Sequence, residues 1–272
     1  MGINSPLNNL VSINSSLVRP ILGSAAFDPV TLFAASEFGW LYEPGRTGGA
    51  FANANGTGAL TADGDPIGYV TDFSGNGFHQ LQSTTSYKAP LRIAGGIWSA
   101  EVNRGGGSPK FLEAQLGNRV IAAPLTEVYV VRTGSDSWVP TFIVQASNYI
   151  DCLFNYPYQA NIGIRIAGQL LDHGQNHGII YQSVHKMLWS YSGVEPGGEE
   201  RILDGVTTAH TRNQFGNFLT GNMVVRLGGG NIGGSAGQEG HVAFAMHINR
   251  LLTAKEKTNL FAYLNKFNGW PG

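Results

Sequence analysis

The side chains that could do chemistry in this chain fall into a few short clusters, and their spacing decides what each can do. The densest acidic stretch runs from Glu195 to Asp204 and contains Glu199 and Glu200 as immediate neighbours. Successive side chains on a strand point to opposite faces, so this pair is not arranged to work on one bond. His173 and His177 have the i, i+4 spacing that holds a metal on a helix. They sit in Asp172-His173-Gly174-Gln175-Asn176-His177-Gly178, whose glycines predict a loop, and there the spacing loses its geometric meaning. Asp72 and Asn76 offer oxygen ligands of the kind a loop Ca²⁺ site uses, but a turn held by side-chain hydrogen bonds explains the same residues without an ion. Gly228 to Gly234 is glycine-rich like a phosphate loop. It lacks Gly-Lys-Ser/Thr and a following helical pattern, so an inter-strand loop is expected. No catalytic set, metal site or cofactor site is expected from these clusters.

Aromatic residues are the other candidates, because exposed rings stack on sugar faces. Trp138, Tyr156 and Tyr158, the last two flanking Pro157, are the ones singled out, although core packing or a subunit interface uses the same residue types. The lone cysteine, Cys152, lies in the apolar run Tyr149 to Phe154 and reads as a small buried hydrophobe; one cysteine rules out an internal disulfide framework.

The composition says what must position these residues. Charged residues are only 13% of the chain against roughly 25% in an average soluble domain. The net charge is -1 and there is no Lys/Arg run, which disfavours nucleic-acid binding. Met1 to Ser16 has no basic start followed by an apolar stretch, and no run of about 20 apolar residues could span a membrane, so folding in a reducing cytoplasm is expected. The 38 glycines and 11% aromatic residues suit many short strands joined by tight turns.

Strand patterns recur from Gly39 to Pro44, Pro66 to Asp72, Gly96 to Val102, Thr126 to Arg132, Pro140 to Ala146, Asn148 to Tyr156 and Ala160 to Ile166. They continue at His177 to Tyr181, His185 to Tyr191, Glu200 to Leu203, Met223 to Leu227 and Gly240 to Ile248, where Val242, Phe244, Met246 and Ile248 are expected to share one face. Gly45 to Gly64 reads as a long connection, and Asp204-Gly205 as a hairpin turn. With no fixed repeat, the pattern predicts two packed antiparallel sheets rather than a propeller or a β-helix. One convincing helix closes the chain over 253–268: Thr253 and Glu256 have the capping-box spacing, Leu260, Leu264 and Phe267 share a face, and Gly269 stops it.

Residues 1–35 stand apart from the sandwich expected over 36–272. Ile3, Leu7, Leu10, Val11, Ile13 and Leu17 are scattered among Asn, Ser and Pro with neither strand nor helix period, so the segment cannot form its own core. An arm docked on a partner subunit and a segment packed on its own sandwich fit it equally. At its end, Asp28 to Ser36 is expected to form a short helix with Asp28 as N-cap and Pro29 in the first helical position.

Four phrases in order carry a family resemblance: Trp40-Leu41-Tyr42-Glu43-Pro44; Leu60-Thr61-Ala62-Asp63-Gly64-Asp65-Pro66-Ile67-Gly68; Asp72-Phe73-Ser74-Gly75-Asn76-Gly77-Phe78-His79; and Gly240 to Phe244 leading through Asn249-Arg250-Leu251-Leu252-Thr253 to Glu256 and Tyr263-Leu264. Over residues 39–269 the chain resembles the laminin-G-like domain of the concanavalin A-like lectin and glucanase superfamily, in the form found in tailed-phage virion proteins. Glu43 stands where that pattern usually has Asp. The resemblance implies an all-β, antiparallel jelly-roll sandwich and a non-enzymatic structural virion protein, a head-decorating, collar or fibre subunit assembled in the host cytoplasm. Its implied partners are other virion proteins (capsid, portal or collar, tail) and further copies of itself. A host-surface glycan-binding adhesin is the alternative. A glycoside hydrolase is remote, because the glucanase branch carries its acids as Glu-x-Asp-x-x-Glu, which is absent here, and retaining hydrolysis needs two carboxyls about 5 to 5.5 Å apart.

Overall fold

The segments that alternate apolar and polar residues pair, in a computed structural model, into two antiparallel sheets. The structure describes residues 26–34, 37–103, 109–133, 141–145, 148–154, 162–166, 169–170, 183–194, 198–210, 219–228 and 239–271. In chain order the strands are β1 (Gly39–Tyr42), β2 (Ala50–Phe51), β3 (Pro66–Ile67), β4 (Tyr69–Val70), β5 (Gln80–Leu81), β6 (Ala89–Ala94), β7 (Ile97–Asn103), β8 (Leu112–Ile121) and β9 (Leu125–Thr133). They continue as β10 (Thr141–Gln145), β11 (Asn148–Phe154), β12 (Ile162–Ile166), β13 (Gln169–Leu170), β14 (Val184–Tyr191), β15 (Glu199–Leu203), β16 (Val206–His210), β17 (Leu219–Leu227) and β18 (Glu239–Ile248). One sheet runs β16-β15-β14-β9-β18-β7-β6-β3 with β1 also on β18, and the other runs β13-β12-β11-β10-β17-β8-β5-β4-β2. The architecture is the expected antiparallel all-β sandwich with a short C-terminal helix.

The first sheet is buried on both faces. Inward, Trp40, Tyr42, Tyr129, Val131 and Trp189 meet Leu112, Ala114, Val225 and Leu227 of the second sheet. Outward, Val128, Val130, Leu188, Phe244 and Met246 pack under the C-terminal segment. Because β9 is covered on both sides, it reads as a nearly unbroken apolar run rather than an alternation. The cover is α1 (Ala254–Leu264), whose Thr253 Oγ1 accepts from Glu256 N while the Glu256 carboxylate accepts from Thr253 N, the expected capping box. Leu260 and Leu264 are fully buried, and burying each contributes about 1.5–3 kcal/mol. A 3₁₀ turn, Asn265–Gly269, then carries Phe267 and Trp270 onto the same face.

The expected short helix after Asp28 is a 3₁₀ turn, Pro29–Leu32, with Asp28 capping Val30 N at 3.0 Å. It lies beside α1: Leu32 is buried, Phe27, Val30 and Phe33 pack on the outer core, and Arg250 Nη2 donates to Leu32 O at 2.9 Å. Residues 27–33 therefore pack on their own sandwich, whereas Ile3, Leu7, Leu10, Val11, Ile13 and Leu17 lie outside the described residues.

Three sequence expectations change: the helix expected over 253–268 is α-helical only to Leu264, with its C-cap at Asn265 rather than a stop at Gly269, the connection expected from Gly45 to Gly64 contains the short strand β2, and the face of β18 is divided. Val242, Phe244, Met246 and Ile248 do not share a face, because the register of β18 on β9 skips Ala243, with Val242 opposite Val131 and Phe244 opposite Val130. The extra residue at this bulge turns Val242 into the inter-sheet core and Phe244, Met246 and Ile248 toward the helix. The Asp204-Gly205 turn is as expected: both residues have positive φ, 49° and 89°, between β15 and β16.

Candidate functional site

The Asp72–His79 turn is built around one buried carboxylate. Asp72 Oδ1 accepts from Leu41 N at 3.0 Å and Ser74 N at 2.9 Å. Its Oδ2 accepts from Ser74 Oγ and Phe78 N, each at 2.9 Å. These four donors occupy both oxygens, so the turn is held by its own hydrogen bonds. Asn76 Nδ2 fastens it to the Glu37 and Gly39 carbonyls at 2.9 Å, and Tyr42 donates its hydroxyl to Phe78 O at 2.6 Å. Gly75 and Gly77 take positive φ, 88° and 77°, with open space where a Cβ would sit; backbone angle, not crowding, requires glycine.

The turn ends by delivering His79 to the outer face of the second sheet. His79 Nδ1 accepts from Asp72 N at 3.0 Å, which leaves Nε2 as the ring nitrogen that can donate. That ring stacks on Tyr69, centroids 5.0 Å apart and planes 28° apart. Burial, with Asp72's charge as the second cause, raises the Tyr69 phenol above its ordinary value, so it stays a neutral hydroxyl. Tyr69 belongs to a cross-strand row, Phe51, Tyr69, Leu81, Glu113 and Arg226, that runs over five strands. Val70, Leu112 and Ala114, their neighbours along the strands, point into the core.

A second stacked pair lines the same groove. Tyr87 and Phe111 lie 5.9 Å apart at 27°, brought together by Phe111 N donating to Tyr87 O at 3.1 Å. Gln82 braces them, its Nε2 donating to Phe111 O at 3.4 Å and its Oε1 accepting from Thr84 N at 3.0 Å. Arg226 lies over the Phe111 ring, 5.1 Å from its centroid, while its Nε donates to Glu113 Oε2 at 2.9 Å. Both pairs line an open groove of about 720 Å³, together with Leu81, Glu113 and Gln115 of the sheet and Asn55, Ser83 and Thr84 of the adjoining loops. Gln115 and Leu81 are exposed. The rim loop is closed on itself by Ala52 N to Gly58 O and Asn53 N to Thr57 O, each at 3.0 Å, and Lys88 Nζ holds it at Ala52 O, 2.7 Å.

Aromatic rings beside neutral amides and hydroxyls in one lining are what a ring with apolar faces and a polar edge requires. Among the lining residues Glu113 is the one carboxylate.

Of the residues singled out in the sequence, Asp72 and Asn76 form the turn that carries His79. Trp138, Tyr156 and Tyr158 lie outside the described residues, as do His173, His177 and Gly229 to Gly234. Cys152 is in β11, opposite Ile164 of β12. Glu199 and Glu200 do point to opposite faces. Glu199 is buried and accepts from Trp189 Nε1 at 2.8 Å and Arg201 Nε at 2.5 Å, whereas Glu200 meets Lys257 of α1. A further interior carboxylate, Glu127, takes the Tyr129 hydroxyl and faces His247 Nδ1 at 3.2 Å. Among the described residues no group of three or more His, Cys, Asp or Glu could hold a metal, and no helix is long and apolar enough to cross a membrane. Sequence reasoning missed Tyr69, His79, Tyr87 and Phe111.

No family model and no curated protein matches the chain. Among solved structures, it is similar to the binding domain of botulinum neurotoxin DC in complex with SialylT, with TM-score 0.49, 10% identity, and 84% of this chain and 51% of that one covered. It is also similar to the same toxin's binding domain in complex with rat synaptotagmin II, with TM-score 0.47, 11% identity, and 68% and 49% covered. A third is botulinum neurotoxin type C, whose cell entry is described as dependent upon interaction with two ganglioside molecules, with TM-score 0.46, 9% identity, and 68% and 49% covered. The chain thus spans about half the length of each of these three structures.

Proposed function

We propose that this chain is a non-enzymatic, glycan-binding β-sandwich carried on a tailed-phage particle. The observation that carries the binding role is the groove itself, in which Tyr69 on His79 and Tyr87 on Phe111 line one space with the polar Glu113 and Gln115. A volume of about 720 Å³ has room for a short oligosaccharide and falls within the usual range for small-ligand sites. The absence of an enzymatic role is supported by the single carboxylate of the lining, whose Oε2 is bonded to Arg226, since hydrolysis of a glycosidic bond draws on a pair of acids.

The test is a glycan array probed with the whole chain and with Tyr87→Ala, the variant's folding being checked by an unchanged urea midpoint. Saturable binding by the parent chain, weakened about tenfold or more by the substitution, is expected from losing one ring of a stacking surface. Parent-level binding by the folded variant would remove the groove from consideration.

The place of action follows from the four-phrase resemblance to tailed-phage virion proteins: a head-decorating, collar or fibre subunit in the virion, in contact with capsid, portal, collar or tail proteins and with copies of itself. Residues 1–25, with Ile3, Leu7, Leu10, Val11, Ile13 and Leu17, are the docking segment in this reading. Removing them stops short of Phe27 and the packed turn that follows. The shortened chain should keep its urea midpoint and lose attachment to particles; a shortened chain that still decorates particles would count against the docking role.

A further inference from the structure

We infer that the groove prefers glycans bearing a carboxylate or sulfate to their neutral counterparts, with the acidic group held beside the Tyr87–Phe111 pair. The inference rests on the glycan-binding reading above. Its basis is the balance of charge around the groove. The one carboxylate of the lining, Glu113, is already answered, because its Oε2 accepts from Arg226 Nε at 2.9 Å. Three more cations border the lining. Lys88 follows Tyr87 in the chain, Lys110 precedes Phe111, and the Arg119 guanidinium lies 5.8 Å from the centroid of the Phe78 ring. Each is bonded to a neutral carbonyl: Lys88 Nζ to Ala52 O at 2.7 Å, Lys110 Nζ to Ser86 O at 2.6 Å, and Arg119 Nε to Leu116 O at 3.3 Å. Among the described residues none of the three forms an ion pair. A carbonyl takes one of the three N–H donors of an ammonium and leaves its charge in place.

The chain as a whole carries a net charge of -1, so this positive surplus is local to the groove. Charges of one sign around a concave site focus the field and raise the local concentration of ligands of the opposite sign. Position within the groove follows from where the remaining anion sits. Asp72 lies behind the Tyr69–His79 pair, its amide on His79 Nδ1 and its two carboxylate oxygens taken by four donors. Both lysines belong to the other pair: Ser86, which holds Lys110, adjoins Tyr87, and Ala52, which holds Lys88, is two residues from the lining residue Ala54. A sugar stacked on Tyr87 or Phe111 therefore places a carboxylate or sulfate within the roughly 10 Å over which charges act at 0.1 M salt.

The probe is an array carrying neutral oligosaccharides beside their uronate-, sialate- and sulfate-bearing counterparts, read with the whole chain, Lys110→Gln and Tyr87→Ala. At low salt the parent chain should bind the acidic members about tenfold more tightly than the neutral ones. Lys110→Gln removes one of the charges and should lower that ratio about threefold. Should Lys110→Gln fail to fold, the parent chain read at rising salt takes its place, because screening should narrow the same ratio and a constant ratio would count as failure. Neutral members bound as well as acidic ones, or a ratio that folded Lys110→Gln leaves at the parent's value, overturns the preference and leaves the glycan-binding reading standing. Acidic members bound by Tyr87→Ala at the parent's level would place the attraction outside the groove and overturn both readings, as would an array with no saturable binding.

Discussion

The imidazole of His79 lies flat against the phenol of Tyr69, 5.0 Å between ring centroids, and it is the same imidazole that accepts the Asp72 amide proton. One side chain thus serves the groove wall with its face and the turn with its edge, and substitutions can separate the two. His79→Phe keeps a ring on Tyr69 but leaves Asp72 N–H without its acceptor, which should cost about 1 kcal/mol of stability and change glycan affinity by less than threefold. His79→Ala loses both, and affinity should fall about tenfold. Urea titration reads the first effect and the array the second; an alanine variant that binds like the parent would mean that the ring does not touch the ligand.

Asp72 should be the costliest residue of the turn to alter. Its two oxygens accept from Leu41 N, Ser74 N, Ser74 Oγ and Phe78 N, and the turn that it closes also bonds back to β1 through Phe73 N to Leu41 O at 2.9 Å. Asp72→Asn must set an NH₂ donor against one of these donor pairs whichever way the amide is turned. A loss of about 3 kcal/mol is expected, measured as a lower urea midpoint with an unchanged slope. A loss below about 1 kcal/mol would mean that the carboxylate is not the hub of the turn.

What the sequence makes legible here is what depends on near neighbours. The Thr253-to-Glu256 cap, the Asp28-Pro29 start and the Asp204-Gly205 turn each need residues at most three positions apart, and each is found where expected. The bulge at Ala243 is not legible, because it exists only as an offset between β18 and β9. Strand β8 is easily overlooked: its inward set, Leu112, Ala114 and Leu116, is short, and Glu113, Gln115, Gly117, Asn118 and Arg119 dilute it. The groove is the least legible feature. Tyr69, His79, Tyr87 and Phe111 come from separate segments, and what unites them is tertiary, the Asp72 turn for one pair and the Phe111 N to Tyr87 O bond for the other.

The helix cap predicts how stability responds to acid. Hydrogen bonds from Arg250, opposed in part by burial, hold the Glu256 carboxyl below its ordinary value of 4.5 in the folded chain. A group depressed on folding contributes stability that is fully present above its unfolded value and is lost as the pH falls through the folded one. That window opens near pH 4.5 and extends below it. Glu256→Gln preserves an acceptor for Thr253 N but cannot titrate, so the urea midpoint of the parent should fall more steeply than that of the variant as the pH is lowered from 5. Thr253→Ala, in contrast, should cost about 1 kcal/mol at every pH. Parallel acid limbs for parent and Glu256→Gln would show that the Arg250 pairing is not worth more when folded.

Glu199 and Glu200 test how far the face of a strand decides the worth of a charge. Both are glutamates in β15 and both meet a cation, Arg201 and Lys257 respectively, but Arg201 is fully buried and Glu199 nearly so, whereas Glu200 and Lys257 keep contact with solvent. Removing the Glu199 charge leaves the Arg201 guanidinium in the core without that carboxylate and weakens the acceptor of Trp189 Nε1. Breaking one side of a buried pair typically costs about 3–5 kcal/mol. The exposed pair gains little over hydration and is screened by salt, so its loss should stay under about 1 kcal/mol. Glu199→Gln should therefore lower the urea midpoint several-fold more than Glu200→Gln, and only the second effect should shrink in high salt. Equal costs for the two would mean that the interior of the first sheet is wet enough to hydrate Arg201, and the closed core between the sheets would have to be abandoned at that edge.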